Sequence, residues 1–378
     1  MSLAPVAPAP VAPVATHAAR TPPAPRAPWS SGLEDVVVAG TDLSVVDADG
    51  GALFIAGRAL DAIDDAFIDV AAALDAHARA AVVDDAYVDR FAAARGAAFA
   101  AATDRPVCGD PMAHLAGLLA GLDVGIAGVD DDAAALVGVV HGVVGAAHRV
   151  LSGRRARRAP DARLGAGAWL AAACADVDDD RAGAALDRYL VTVVDHGMNA
   201  STFAARVAAS TRASLRLALV AGVATLAGPL HGGAPGPVLD LFDAVDARGL
   251  GVVADELAAG RRLMGFGHRV YRARDPRAAV LERATRALVD GAPPERRRRL
   301  DLAHQLEAEA LRLLRAAHPE RPLAANVEFF TALLLDAIGI DRRAFALVFA
   351  CGRAAGWAAH VVEQRRVGKL IRPRSVAV

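Results

Sequence analysis

DDDAAALVGVVHGVVGAA, residues 130–147, sets the fold class. Three aspartates stand before a run of alanine, valine, leucine and glycine. An aspartate side chain accepts hydrogen bonds from the free amides of a helix start, so the run reads as a capped helix. It carries His141 and falls short of the ~20 uninterrupted apolar residues that a membrane helix needs, so it reads as a core helix. DDDRAGAALDRYLVTVVD, residues 178–195, repeats the arrangement.

The rest of the chain agrees. Its 378 residues suggest two or three domain-sized units and suffice for a sizeable core. Hydrophobic residues make up 54% but aromatics only 4%; much of the remainder is alanine, which favours helix. The reading is a soluble, mostly α protein. One small β-hairpin is expected near the N-terminus, in DVVVAGTDLSVVDADGGALFIAG (residues 35–57), around an Asp-Gly-Gly turn. Residues 1–31, rich in proline and alanine, read as a disordered tail.

Formal net charge is −1, so no global field would recruit nucleic acid or an anionic membrane. The arginine runs at 153–158 and 295–299 lack interleaved aromatics for base stacking and read as solvated faces. Cys108, Cys174 and Cys351 are too scattered for a disulfide framework or a metal knuckle. They suggest small buried hydrophobes in a reducing cytoplasm. The N-terminus lacks the charged-then-apolar order of a signal peptide, so the expected location is cytoplasmic.

Polar, reactive residues interrupt the apolar helices in five places. These are DHGMNASTFAARVAAST (195–211), GPLHGGAPGPVLD (228–240), MGFGHRVYRARDPR (264–277), NVEFFTALLLDAIGI (326–340), and the pair CGRAAGWAAH (351–360) and KLIRPRS (369–375). The third is not a dinucleotide fingerprint, because Val270 stands where the last glycine belongs, and no Walker lysine follows. Asp275 suits an N-cap, Pro276 the first helical turn, and Gly291 the stop. Arg277 then sits in the first turn, where a cation opposes the helix dipole unless an anion binds there. On this segment alone, a solvent-facing arginine remains open. His231 lies at a helix break between glycines, where a histidine is often structural. Three such histidines, several arginines and a helix-start carboxylate together suit a small polyanionic substrate and proton transfer. No HxH, HExxH or CxxC suggests a metal, and no nucleophile elbow is present.

These five segments, in this order, resemble the motifs of citrate synthases; the 264–277 stretch matches the family's glycine, histidine, arginine and Asp-Pro-Arg spacing. The resemblance runs from about Gly32 to the end and is weak between about Asp61 and Ala159. It implies a mainly helical, two-domain fold, with a large domain in residues 32–227 and 339–378 and a small domain in 228–338 that closes over the substrates. It also implies a homodimer. The implied reaction condenses acetyl-CoA with oxaloacetate and hydrolyses citryl-CoA to citrate and CoA, with no cofactor beyond the thioester substrate. By resemblance, His196 binds oxaloacetate, His231 donates to the thioester oxygen, and His268 polarises the ketone. Arg277 and Arg353 bind carboxylates, and Arg372 crosses to the partner's site. Arg272 and the Gly265-Phe266-Gly267 loop contact coenzyme A. The sequence departs at the base, where Glu328 stands for the usual aspartate, and at Pro235, where asparagine commonly follows. A glutamate moves the carboxylate by ~1.5 Å, and errors of that size can cost ~10²-fold. The alternatives are a 2-methylcitrate synthase using propionyl-CoA and a non-catalytic paralogue that binds CoA or dicarboxylates.

Overall fold

Asp132, the last of the three aspartates, is the one that caps the helix of residues 133–151, accepting from the Ala135 amide at 3.0 Å. The other two tie in a distant helix: Asp131 accepts from the Leu215 amide at 2.9 Å and Asp130 from Arg216 Nε at 2.6 Å. In the 178–180 triplet the middle residue, Asp179, is the cap. This computed structural model describes residues 32–33, 36–107, 109–153, 159–175, 177, 179–231, 235–268, 270–271, 274–320 and 323–375. The expected tail, Cys108 and all but the first residue of the 153–158 run lie outside them.

Fourteen α-helices occur among the described residues. They are α1 (Phe67–Arg79), α2 (Tyr87–Ala102), α3 (Pro111–Gly121), α4 (Ala133–Leu151), α5 (Ala166–Leu170, continued by a π turn, Ala171–Ala175), α6 (Asp180–Val193) and α7 (Ala200–Ser210). The second half holds α8 (Leu215–Leu226), α9 (Pro235–Arg248), α10 (Gly251–Ala258), α11 (Pro276–Val289), α12 (Pro294–Ala317), α13 (Val327–Ile338) and α14 (Phe345–Val367). All lie in one compact unit, Thr41–Arg372; the described residues on either side of it form a separate unit.

The expected hairpin is present, and a third strand extends it. β1 (Ser44–Asp47) pairs antiparallel with β2 (Ala52–Ile55), and β2 with β3 (Arg58–Ala59). Asp47 closes the turn by accepting from the Gly50 amide at 2.8 Å.

Two segments, α4 and 342–367, have the length and apolarity of membrane spans, yet 89% of each window is buried inside the fold. They are core helices, apolar all round because other helices surround them. Within α4, His141 packs against the Phe67 and Phe91 rings and pairs with the Cys351 carbonyl at 3.1 Å. Burial lowers its pKa to about 3, so it is a neutral core residue. Cys351 is a buried free thiol, and Cys174 is buried. The arginine run at 295–299 opens α12, where Arg298 pairs with Asp246 and Arg299 with Asp243.

Candidate active site

Two glycines bring the site's walls together. A Cβ at Gly356 would fall 2.2 Å from the Val194 carbonyl oxygen, and one at Gly352 would fall 2.9 Å from that of Leu190. One helical turn apart, they let α14 lie against the end of α6. Arg353, between them, is buried and donates from Nε to the Val193 carbonyl at 2.7 Å. It has no ion pair among the described residues. Burial lowers its pKa to about 10, though the charges of Asp195 and Glu328 act in the opposite sense. A buried guanidinium with no carboxylate of its own is suited to receive one from a ligand.

The chain leaving α6 carries Asp195 and His196. Asp195 is buried, accepts from Ser44 Oγ, and pairs with His360 Nε2 at 3.1 Å. Burial would raise its pKa, but His360 and the other donors hold it at about 2. His196 points the other way. Its Nε2 meets the Tyr271 hydroxyl at 3.1 Å, and its ring lies 5.5 Å from that of His268. Burial, then Arg277 and Arg353, push its pKa well below the usual value, so it is neutral.

His268 accepts at Nδ1 from the amides of Val270 and Tyr271, at 3.0 and 3.1 Å. Backbone amides can only donate, so the ring proton of a neutral imidazole must sit on Nε2. Burial, followed by the nearby Arg277 charge, lowers the pKa to about 4 and keeps the ring neutral. Yet Nε2 lies 3.1 Å from Arg277 Nη2, itself a donor. Two donors thus face one point with no acceptor between them, an arrangement that a ligand oxygen would relieve.

Arg277 is aimed by Asp275. The carboxylate accepts from Arg277 N and Nε, each at 3.0 Å, and from Nη2 at 2.9 Å. It also accepts from the Val327 amide at 3.1 Å, so one side chain ties the starts of α11 and α13. Burial works against the Arg277 charge, but Asp275 outweighs it and the pKa is raised.

Glu328 is the second residue of α13, whose N-cap Asn326 accepts from the Glu328 amide at 3.0 Å. The side chain is partly exposed at the site wall. Its surroundings are nonetheless protein-rich: burial raises its pKa to about 7, against the opposing charges of Arg277 and Arg353 and aided by Asp275. That value matches a base working near neutrality.

His231 ends the turn after α8, and its Nε2 lies 2.8 Å from Ser201 Oγ. Trp357 Nε1 donates to the same oxygen at 3.2 Å. Ser201 Oγ donates to Asn199 Oδ1 at 2.8 Å, an oxygen that also accepts from the Thr202 amide. The His231 ring faces this hydroxyl through Nε2. Burial, then Arg353, lowers its pKa to about 4. His231 is then a neutral donor.

His196, His268, Arg277, Arg353 and Glu328 are joined by these contacts and charge interactions, and His231 feels the Arg353 charge. Arg372 is not joined to them; it is exposed and has no hydrogen bond among the described residues. Arg272 and Gly232–Ala234 lie outside the described residues. Gly265 and Gly267 have φ of +88° and +78°, a conformation suited to glycine. Their segment is stitched to the start of α13: Gly267 N donates to the Ala324 carbonyl at 2.8 Å, and Asn326 N to that of Gly265 at 2.9 Å. Phe266 is buried, its ring 5.2 Å from Phe329, so this loop offers main chain rather than a ring to a ligand. Ser201, Tyr271 and Trp357 escaped the sequence reading as site residues. All three stand inside the quoted motifs, beside a histidine or an arginine that drew the attention.

A family model described as "Citrate synthase, C-terminal domain" matches residues 32–374. The Mycobacterium tuberculosis protein named "Putative citrate synthase 2" is 48% identical over 202 residues, 53% of this chain and 52% of that protein. The 2-methylcitrate synthase of Shewanella oneidensis is 36% identical over 192 residues, 50% of this chain and 48% of that protein. The chain thus spans about half the length of the curated relatives it matches. In fold it is similar to the citrate synthase of Thermoplasma acidophilum, solved in a ternary complex with carboxymethyl coenzyme A and oxaloacetate. The TM-score is 0.80 at 24% identity, covering 93% of this chain and 96% of that one.

Proposed function

The chain belongs to the citrate synthase family, and from that premise we propose that it condenses acetyl-CoA with oxaloacetate and releases citrate and CoA. The observation that carries the reading is that His268 Nε2–H and Arg277 Nη2, whose other hydrogen goes to Asp275, face each other 3.1 Å apart with no acceptor between them. The ketone and carboxylate oxygens of oxaloacetate are acceptors of the kind this pair lacks. Arg353 takes a carboxylate, and neutral His196 lines the same space. Glu328 removes a proton from the thioester methyl group while neutral His231 donates to the thioester oxygen. A donor of that kind is typically worth about 2.7–4 kcal/mol in the transition state. The enol carbon attacks the ketone carbon, and His268 supplies the proton that the ketone oxygen takes up. Water then cleaves citryl-CoA to citrate and CoA.

In this reading residues 228–338 form a small domain that closes on the rest and excludes water. Arg272 and the main chain of residues 265–267 hold coenzyme A. The protein works as a cytoplasmic homodimer, with Arg372 reaching the partner's site. Its substrates are these two molecules, without a further cofactor. The Thermoplasma acidophilum complex supports this choice of ligands at the level of fold.

The similarity to a 2-methylcitrate synthase favours propionyl-CoA as a second thioester. One methylene in an acyl pocket separates substrates by only ~1–3 kcal/mol. The test is free thiol release with oxaloacetate and each acyl-CoA. Release from acetyl-CoA that is lost in Glu328→Ala is expected. A higher kcat/KM with propionyl-CoA would reassign the substrate, and no release with either would favour a non-catalytic binding protein.

A further inference from the structure

Three of the buried oxygens that have no hydrogen-bond partner among the described residues lie on two neighbouring helices: the Tyr189 hydroxyl on α6, and Glu328 Oε2 and Thr331 Oγ1 on α13. Such atoms are rare because each forfeits its hydration, and α6 packs against α13. Glu328 and Thr331, three residues apart, share a face of α13. Thr331 also breaks a habit of this fold. Thr103, Thr192, Thr225 and Thr285 each donate to the carbonyl four residues back, at 2.7–2.8 Å. Thr331, as buried as Thr192 and Thr285, makes no such bond. Its hydroxyl instead approaches the Tyr189 oxygen without reaching hydrogen-bond geometry. Tyr189 itself is fully buried, with Glu328, Arg353, Cys351 and Thr331 acting on it. No step of the proposed reaction uses it.

We propose that Tyr189 is a positioning residue for Glu328: in the substrate-bound conformation Thr331 donates to the Tyr189 oxygen, and Tyr189 donates to Glu328 Oε2. A short closure of α13 on α6 then satisfies all three oxygens at once. This also gives the glutamate a physical reason. A carboxylate carried ~1.5 Å further out than an aspartate's reaches a donor on the neighbouring helix, and that donor restrains the longer side chain.

The inference rests on reading Glu328 as the base. The charges facing Glu328 are Arg277, Asp275 and Arg353, and none of them changes when the phenol hydroxyl is removed. A donor to the carboxylate favours its ionised form, so deleting the donor raises the carboxyl pKa. In Tyr189→Phe the acid limb of kcat/KM should move up by about half to one pH unit, and kcat should fall about three- to tenfold, with the KM for oxaloacetate unchanged. Thr331→Val should move both in the same direction by less, and serves if Tyr189→Phe melts early. In a Glu328→Asp background the tyrosine substitution should add nothing. Wild-type kcat and acid limb in both single variants, with Glu328→Ala inactive, would overturn the proposal alone. An equal effect of Tyr189→Phe in the aspartate background would overturn it too. Activity surviving in Glu328→Ala would instead remove the reading beneath it.

Discussion

Glu328→Gln should abolish turnover and yet make the free protein more stable, by an amount that grows as pH rises from 4.5 to about 7. The folded environment raises this carboxyl from 4.5 to about 7, chiefly by burial. The sign follows from proton binding. Between those two values the folded state holds a proton that the unfolded chain has released, so stability falls as pH rises through the window. The loss is absent below about 4.5 and fully developed above about 7. At ~1.36 kcal/mol per pKa unit, the rise from 4.5 to about 7 corresponds to about 3.4 kcal/mol, and solvent screening of the partly exposed side chain reduces this to roughly 2–3 kcal/mol. Glutamine keeps the shape and never ionises. Urea and thermal unfolding of both proteins at pH 5 and pH 8 measure the difference. The variant should lie within ~1 kcal/mol of wild type at pH 5. At pH 8 it should be roughly 2–3 kcal/mol more stable, about 3 °C in Tm for a chain of this size. An equal gap at both pH values, or a variant less stable at pH 8, would refute the idea that this site stores an uncompensated carboxylate.

Asp275→Ala leaves the Arg277 guanidinium buried without its counter-charge and unties the start of α13. It should cost about 3–5 kcal/mol, read as a lower urea midpoint, and a loss under ~1 kcal/mol would contradict the pairing. Gly265→Ala places a Cβ at φ +88° and 3.0 Å from Val238 Cγ2. It should destabilise by ~1–3 kcal/mol, more than Gly260→Ala, where φ is +71° but nothing lies within 4 Å. Equal unfolding midpoints for the two variants would show that crowding at Gly265 does not matter.

Helices with sharp local signals were legible in the chain. Asp275, Pro276 and Arg277 predict the start of α11, and the structure puts Asp275 at the N-cap with Pro276 first in the helix. Asn326 and Glu328 announce α13 in the same way. Residues 61–159 gave helical propensity and little else. Alanine-rich segments specify a helix without specifying its neighbour, because a methyl group packs acceptably in many places. The similarity of fold nonetheless extends over 93% of the chain. The third strand was missed because Arg58–Ala59 is two residues long and carries no alternation to detect.

The site divides along the same line. Residue types and spacing alone nominated His196, His231, His268, Arg277, Glu328 and Arg353, because a polar, reactive side chain inside an apolar helical protein stands out wherever it lies. Protonation could not be read that way. Which nitrogen of His268 holds the proton depends on how its ring meets two backbone amides, and His231 Nε2 faces a serine 30 residues away. The lowered histidine pKa values and the raised one of Glu328 come from burial, which is a property of the packed surroundings and of no single segment. The sequence by itself determined which chemical groups are present and where the helices with capping residues begin. Only the tertiary structure decided which of them are neutral and which buried oxygens lack a partner, because those depend on helices packed together from distant parts of the chain.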